Sequence, residues 1–215
     1  YHLGMNKKII TLLFIIFTPL VFSKASESNI KAQVYKKAIK GHHALSYSVV
    51  KKVLFSTVEN KDGIVCSVYT PSQCAKRYYK QPPKSLNKDN SHFKLNIEHT
   101  WPQSKGAKEL PANSDMHHLF VTSKESNSKR ANLPFCDVVY DFWQKDGSAK
   151  GIDDSAQDCF EPQDKHKGNV ARAMFYFSIR YKLPIDKEQE RVFRNWHKLD
   201  PVDENELKRN LLIKK

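Results

Sequence analysis

The chain is poor in glycine, with 7 among its 215 residues, and holds only 3 methionines and 4 cysteines. So little glycine excludes collagen-like and low-complexity architectures, and a hydrophobic fraction of 40% excludes a disordered chain. No two cysteines stand at the two-residue spacing usual for structural zinc, and no internal repeat or long linker interrupts the sequence. Acidic residues are also in deficit: 23 Asp and Glu face 36 Lys and Arg, a formal charge of +13. An excess of that size favours polyanions such as nucleic acids or acidic membrane surfaces, but specifies neither fold nor chemistry.

Long hydrophobic runs are missing except at the start. Lys7 and Lys8 precede an apolar stretch from Ile9 to Phe22, and Ser23-Lys24-Ala25 offers small residues where a signal peptidase cuts. We expect residues 1–25 to be a signal peptide, with Met5 as its start and Tyr1 to Gly4 upstream of it. The stretch is too short to span a bilayer of roughly 30 Å as a helix, so no membrane anchor is expected after processing. Loss of Lys7, Lys8 and Lys24, with no acid, lowers the formal charge from +13 to +10.

Cys66, Cys74, Cys136 and Cys159 form an even set in a chain expected to be exported, which predicts two disulfides. Three pairings are possible; Cys66 with Cys74 and Cys136 with Cys159 are favoured because each closes a short local loop.

Residues 26–215 read as one α+β domain, mostly helical. Tyr47, Val50, Leu54 and Phe55 recur at helical spacing, predicting helices over 30–40 and 44–58 interrupted at Gly41-His42-His43. Asp62-Gly63 predicts a turn, Ile64 to Tyr69 a strand, and Pro71 to Ser91 a loop. Phe93, Leu95 and Ile97 alternate with polar residues as in a second strand. Thr122-Ser123-Lys124-Glu125 predicts a capping box and a helix from Ser123 to about Ala131. Val170, Ala173, Met174, Phe177 and Tyr181 make one apolar stripe on a helix predicted over 168–181, with Arg172 and Tyr176 on another face. Two further helices are predicted from Asp186 and Asp203, separated by a stop at Asp200-Pro201.

Reactive side chains concentrate in Asn96-Ile97-Glu98-His99-Thr100-Trp101-Pro102, then Asp115-Met116-His117-His118-Leu119, then Asn127-Ser128-Lys129-Arg130-Ala131-Asn132. Two C-terminal blocks follow, Gly168 to Met174 and Trp196-His197-Lys198-Leu199-Asp200-Pro201. In this order the five blocks resemble the endonuclease I family of exported bacterial non-specific nucleases, over nearly the whole mature chain. The resemblance implies a ββα-metal finger-like core. It also implies hydrolysis of DNA, and by extension RNA, to 5′-phosphate ends, in the periplasm or outside the cell.

Phosphodiester hydrolysis needs a base to deprotonate water and a cation to neutralise charge at phosphorus. A histidine is largely neutral near pH 7, and Mg²⁺ prefers a few oxygen ligands with the rest water. By residue-to-residue match, His99 is the expected base and Glu98 and Asn127 the expected ligands of one Mg²⁺, with Mn²⁺ or Ca²⁺ as possible substitutes. Adjacent strand residues point to opposite faces, so a strand end, bulge or turn is expected near Glu98 and His99. Arg172, Arg130 and Lys105 are expected to meet substrate phosphates. Lys105 or Lys108 stands in for a family arginine that the 102–114 loop lacks. Family members usually carry Asp where this chain has Asn169.

Asp115, His117, His118 and Asn132 are expected to support the site, with the segment from Asn113 to Asp115 holding the His99 ring through a carbonyl or carboxylate. A zinc site on His99, His117 and His118 is a weaker reading, because adjacent histidines do not readily converge on one ion. Trp101, Trp143 and Trp196 are expected mainly in the core. The expected partners are double- and single-stranded DNA and RNA, with the protein acting as a monomer. A non-catalytic polyanion-binding protein is the rival reading.

Overall fold

The structure is a computed structural model that describes residues 24–41, 43–76 and 94–214. The expected apolar leader, His42 and Phe93 lie outside the described residues. The chain opens with α1 (Lys24–Ile39) and α2 (Tyr47–Val53), whose last turn widens into a π-helical turn over Leu54–Val58. Short strands β1 (Ile64–Cys66) and β2 (Cys74–Lys76) pair antiparallel, then β3 (Leu95–His99) pairs antiparallel with β4 (Leu119–Ser123), which runs directly into α3 (Lys124–Arg130). A meander of β5 (Tyr140–Lys145), β6 (Ser148–Ile152) and β7 (Asp158–Glu161) follows, and α4 (Asp164–Tyr181), α5 (Lys187–Leu199) and α6 (Glu204–Ile213) complete the α+β fold.

Several expectations need correction. The first strand stops at Cys66 because the chain turns at once into a loop tied by Ser67, Thr70 and Gln73 side chains. The region expected to be loop after Pro71 contains β2, drawn back on β1 by the Cys66–Cys74 disulfide. The capping box sits one residue later than expected: Ser123, not Thr122, is the N-cap and accepts from Ser126 N at 3.1 Å. Glu125 instead meets Lys145 at 2.8 Å and the Trp143 indole at 3.2 Å. The helix expected from Gly168 starts at Asp164, which places Gly168 inside it. The caps at Asp186 and Asp203 form as expected, each carboxylate accepting from backbone N–H groups of the first turn.

Two apolar clusters flank the β3–β4 pair. One joins α2 to the strands through Val50, Leu54, Val65, Leu95, Ile97 and Val121. The other joins Tyr69, Trp101, Phe135 and Phe160 to α4 and α5 through Met174, Phe177, Phe193 and Trp196. Trp101 stacks on Phe177 with centroids 4.9 Å apart, so it and Trp196 serve the core. With a cluster on each face, every residue of β4 is buried, and β3 loses most of its polar face as well. A second disulfide, Cys136–Cys159, ties the segment before β5 to β7. Among the described residues no helix is long and apolar enough to cross a membrane.

Candidate active site

The β3–β4 ladder is regular from Leu95 to His99 and β3 ends there, so of the expected strand end, bulge or turn it is the strand end that occurs, with no bulge between Glu98 and His99. The ladder extends through Lys124 N to Lys94 O and Thr100 N to His118 O, which fixes the parity of its hydrogen bonds. Asn96 and Glu98 bond to β4, and Ile97 turns its N–H and C=O to the outer edge of β3. The candidate site is a cleft of about 490 Å³ along that free edge, lined by residues 96–99 and by Tyr47, Gln103, Asn127 and Asn132, among others. Side chains that alternate between faces still flank one edge, which is how neighbours on a regular strand share the cleft.

Asn127 projects from the capped helix α3. Its Nδ2 donates to the Ile97 carbonyl at 3.1 Å, which fixes the amide and turns Oδ1 away from the strand. Glu98 is 2% exposed and sits between Tyr69, whose hydroxyl donates to Oε1 at 3.1 Å, and Arg130, whose Nε lies 3.0 Å from the same oxygen in an ion pair. Burial raises the Glu98 carboxyl to about 7, although Arg130 and Tyr69 both pull it down. Burial also raises the Tyr69 hydroxyl well above its ordinary value, helped by Glu98, so it stays a donor.

The His99 Nε2 lies 3.1 Å from the Asn113 carbonyl. A carbonyl only accepts, so Nε2 carries the proton and Nδ1 keeps the lone pair. The Gln103 amide nitrogen is 3.3 Å from Nδ1 and 3.2 Å from Nε2. A group almost equidistant from both nitrogens lies over the ring face, off the in-plane axis of either lone pair. The Gln103 amide is thus aligned with neither lone pair, while staying within hydrogen-bond distance of both nitrogens. Burial lowers the His99 pKa, opposed by the Asn113 carbonyl, so the ring is neutral near pH 7.

The segment holding Asn113 is itself anchored. Asp115 accepts from the hydroxyls of Tyr176 and Tyr181, both at 2.8 Å, pairs with Arg180 at 3.2 Å, and caps His117 N at 3.1 Å. Burial pushes the Asp115 carboxyl up, but His118, His117 and the two tyrosine hydroxyls outweigh it and hold it below its ordinary value. His118 Nε2 lies 2.7 Å from the Ala112 carbonyl, and the His117 ring packs 4.8 Å from Tyr176. These separate partners leave no three-histidine site, and among the described residues no three His, Cys, Asp or Glu side chains gather as a metal would need.

The other expected residues divide. Asn132 lines the cleft and donates to Ser104 Oγ at 3.3 Å. Arg130 is buried behind Glu98 and spends its other nitrogens on the carbonyls of Ala131 and Thr100, both at 2.9 Å. Arg172 lies in a different groove, of about 1030 Å³, with Nε 2.7 Å from Glu206 Oε1 and Nη1 2.7 Å from the Asp200 carbonyl. Lys105 and Lys108 are exposed in the 102–114 loop and do not line the cleft, although the Lys105 carbonyl accepts from the Trp101 indole at 2.7 Å. Tyr47, Tyr69 and Gln103 join the site without having been expected there. Gln103 stands only four residues after His99, at the start of the short turn that follows β3, but Tyr47 and Tyr69 carry no local signal that separates them from core residues.

Fold and cleft define a basic, disulfide-bonded α+β protein with a neutral histidine, a carboxylate and an oriented amide along one strand edge. The chain belongs to the endonuclease I family, whose sequence profile matches residues 26–215. It is 30% identical over 199 residues to an extracellular ribonuclease of Bacillus subtilis (strain 168), an alignment covering 82% of this chain and 64% of the relative. An extracellular deoxyribonuclease of Aeromonas hydrophila is 31% identical over 106 residues, 47% of this chain and 44% of that protein. Endonuclease-1 of Buchnera aphidicola subsp. Acyrthosiphon pisum (strain APS) is 28% identical over 100 residues, 46% of this chain and 40% of that protein. The chain thus spans slightly under two thirds of the length of its Bacillus relatives, at 64%.

Proposed function

We propose that this protein is an exported endonuclease that hydrolyses phosphodiester bonds of DNA and RNA without sequence preference, using one Mg²⁺ and His99 as general base. The observation that carries the reading is the tautomer of His99. The Asn113 carbonyl, 3.1 Å from Nε2, favours the proton on that nitrogen and so reserves Nδ1 as the base, and His99 lines the same cleft as Glu98 and Asn127. Relatives named as ribonucleases and deoxyribonucleases support both polymers, and their extracellular or periplasmic names, with two disulfides, support export.

In this reading His99 Nδ1 takes a proton from water. The water oxygen attacks phosphorus in line, the bond to the 3′-oxygen breaks, that oxygen takes a proton from solvent to become a hydroxyl, and the 5′-phosphate stays on the other fragment. The Asn113 carbonyl, already facing Nε2–H, stabilises the imidazolium that results. Glu98 and Asn127 suit a hard cation: both line the cleft, and each keeps one oxygen that the contacts with Tyr69, Arg130 and Ile97 do not engage. When bound, Mg²⁺ supplies positive charge to the phosphate oxygens and the leaving 3′-oxygen. We assign β3, β4 and α3 the part of the ββα metal finger that the family resemblance implies.

The test is plasmid cleavage by His99→Ala, Glu98→Gln and Asn127→Ala, each checked for folding by circular dichroism. Each loss is expected at roughly 10²–10⁴-fold, with chelator abolishing wild-type cleavage and Mg²⁺ restoring it. Wild-type rates in folded His99→Ala, or cleavage indifferent to chelator, would refute the mechanism. Plasmid that is retarded in a gel but never cut would leave a polyanion-binding protein.

A further inference from the structure

The two neighbours of Glu98 share an oxygen. Tyr69 donates to Oε1 and Arg130 Nε faces Oε1, so both contacts fall on one carboxylate oxygen and neither engages Oε2, while Glu98 itself lines the cleft. Neither neighbour is free to move away. Tyr69 is fully buried, its ring packs on Phe160 at 4.9 Å and His166 at 5.7 Å, and its carbonyl accepts from Ser148 Oγ at 2.7 Å. It also stands inside the loop that Cys66–Cys74 closes. Arg130 is fixed by its two carbonyl bonds and lies over the Phe135 ring at 4.4 Å.

A carboxylate binds a cation through one oxygen or chelates it through both, and the choice discriminates between ions. Ca²⁺ takes six to eight oxygens in a loose shell and readily accepts a chelating carboxylate, whereas Mg²⁺ demands near-ideal octahedral geometry and usually takes one oxygen per carboxylate. We propose that Tyr69, backed by Arg130, is a positioning residue that restricts Glu98 to coordination through Oε2 and thereby biases the site toward Mg²⁺ over Ca²⁺. This rests on the reading of Glu98 as a cation ligand.

The test needs no turnover. Dissociation constants for Mg²⁺ alone and Ca²⁺ alone are measured by titration calorimetry on wild type, Tyr69→Phe and Glu98→Gln, without nucleic acid. Tyr69→Phe removes one hydroxyl and keeps the ring, and the ratio of Ca²⁺ to Mg²⁺ affinity is expected to rise roughly tenfold. Arg130→Lys, which withdraws the other group from Oε1, should move the ratio the same way and serves if Tyr69→Phe is unfolded. A purely structural role would weaken both ions in parallel or lower only the melting temperature; an unchanged ratio in the folded variants overturns the proposal. If Glu98→Gln leaves both constants at their wild-type values, Glu98 is not a ligand and the underlying reading falls with it.

Discussion

Two histidines are sealed in the protein as neutral bases. Burial lowers His166 to about 3, with Arg209 and Arg172 adding to the effect, and lowers His118 to about 4 against the pull of Asp115. Between those values and the ordinary value near 6.5, the unfolded chain binds a proton at each histidine that the native protein does not. Their contribution is complete above about pH 6.5 and declines as pH falls, by about 1.4 kcal/mol per histidine per pH unit. His99, also lowered, acts in the same direction. Glu98 acts the other way, because a carboxyl raised to about 7 is protonated in the native state before the unfolded one. The balance favours the histidines. Urea midpoints are therefore expected to fall steadily from pH 6.5 to pH 5, and a flat midpoint across that range would contradict it.

Gly168 on α4 lies hard against Asp200, the residue that caps the C-terminus of α5. Its N–H donates to Asp200 Oδ2 at 2.8 Å, and a Cβ there would run into the Asp200 carbonyl oxygen and the Arg172 guanidinium. Gly to Ala inside a helix ordinarily stabilises by about 1 kcal/mol. Here the sign should reverse, with Gly168→Ala costing roughly 1–3 kcal/mol, read as a lower melting temperature. The elements that could be read from sequence announce themselves locally. Asp186 and Asp203 are caps that work by short-range hydrogen bonds, Ser123 takes that role one residue from the expected position, and the stripe from Val170 to Phe177 is set by helical period. The β5–β7 meander was not legible, since β5 is mostly exposed and shows no alternation. Its one signal is the hairpin turn at Asp146-Gly147, with φ of 50° and 85°. That His99, Glu98 and Asn127 gather in one cleft was legible in the sequence, and the carbonyl behind His99 as a segment. Tyr69 and Tyr47 were not, because what brings them to the cleft is tertiary packing of a loop and of α2.

At the scale of the whole molecule, the charge of +10 on residues 26–215 is a sequence-independent attraction for phosphate backbones. Binding is expected to weaken roughly tenfold or more when salt rises from about 50 to about 200 mM, and equally for unrelated sequences. Fluorescence anisotropy with labelled oligonucleotides measures both, and salt-insensitive binding would count against a charge-driven encounter. The cations expected to meet phosphate one by one behave differently: Arg130 and Arg172 are already paired with acids inside the fold, whereas Lys105, Lys108 and Lys129 are exposed, and their replacement is expected to flatten the salt dependence.

The outer edge of β3 has one more consequence. An unpaired strand edge is a template on which another chain can add a strand. Along this one, the Ile97 N–H is met by the Asn96 side chain at 2.8 Å and the Ile97 C=O by Asn127 at 3.1 Å. The two amides imitate the partner strand and deny the position to any stray one. Replacing Asn127 by Ala thus uncovers a backbone acceptor as well as removing the oxygen proposed as a ligand, and that variant should be checked for self-association before any lost activity is ascribed to the cation alone.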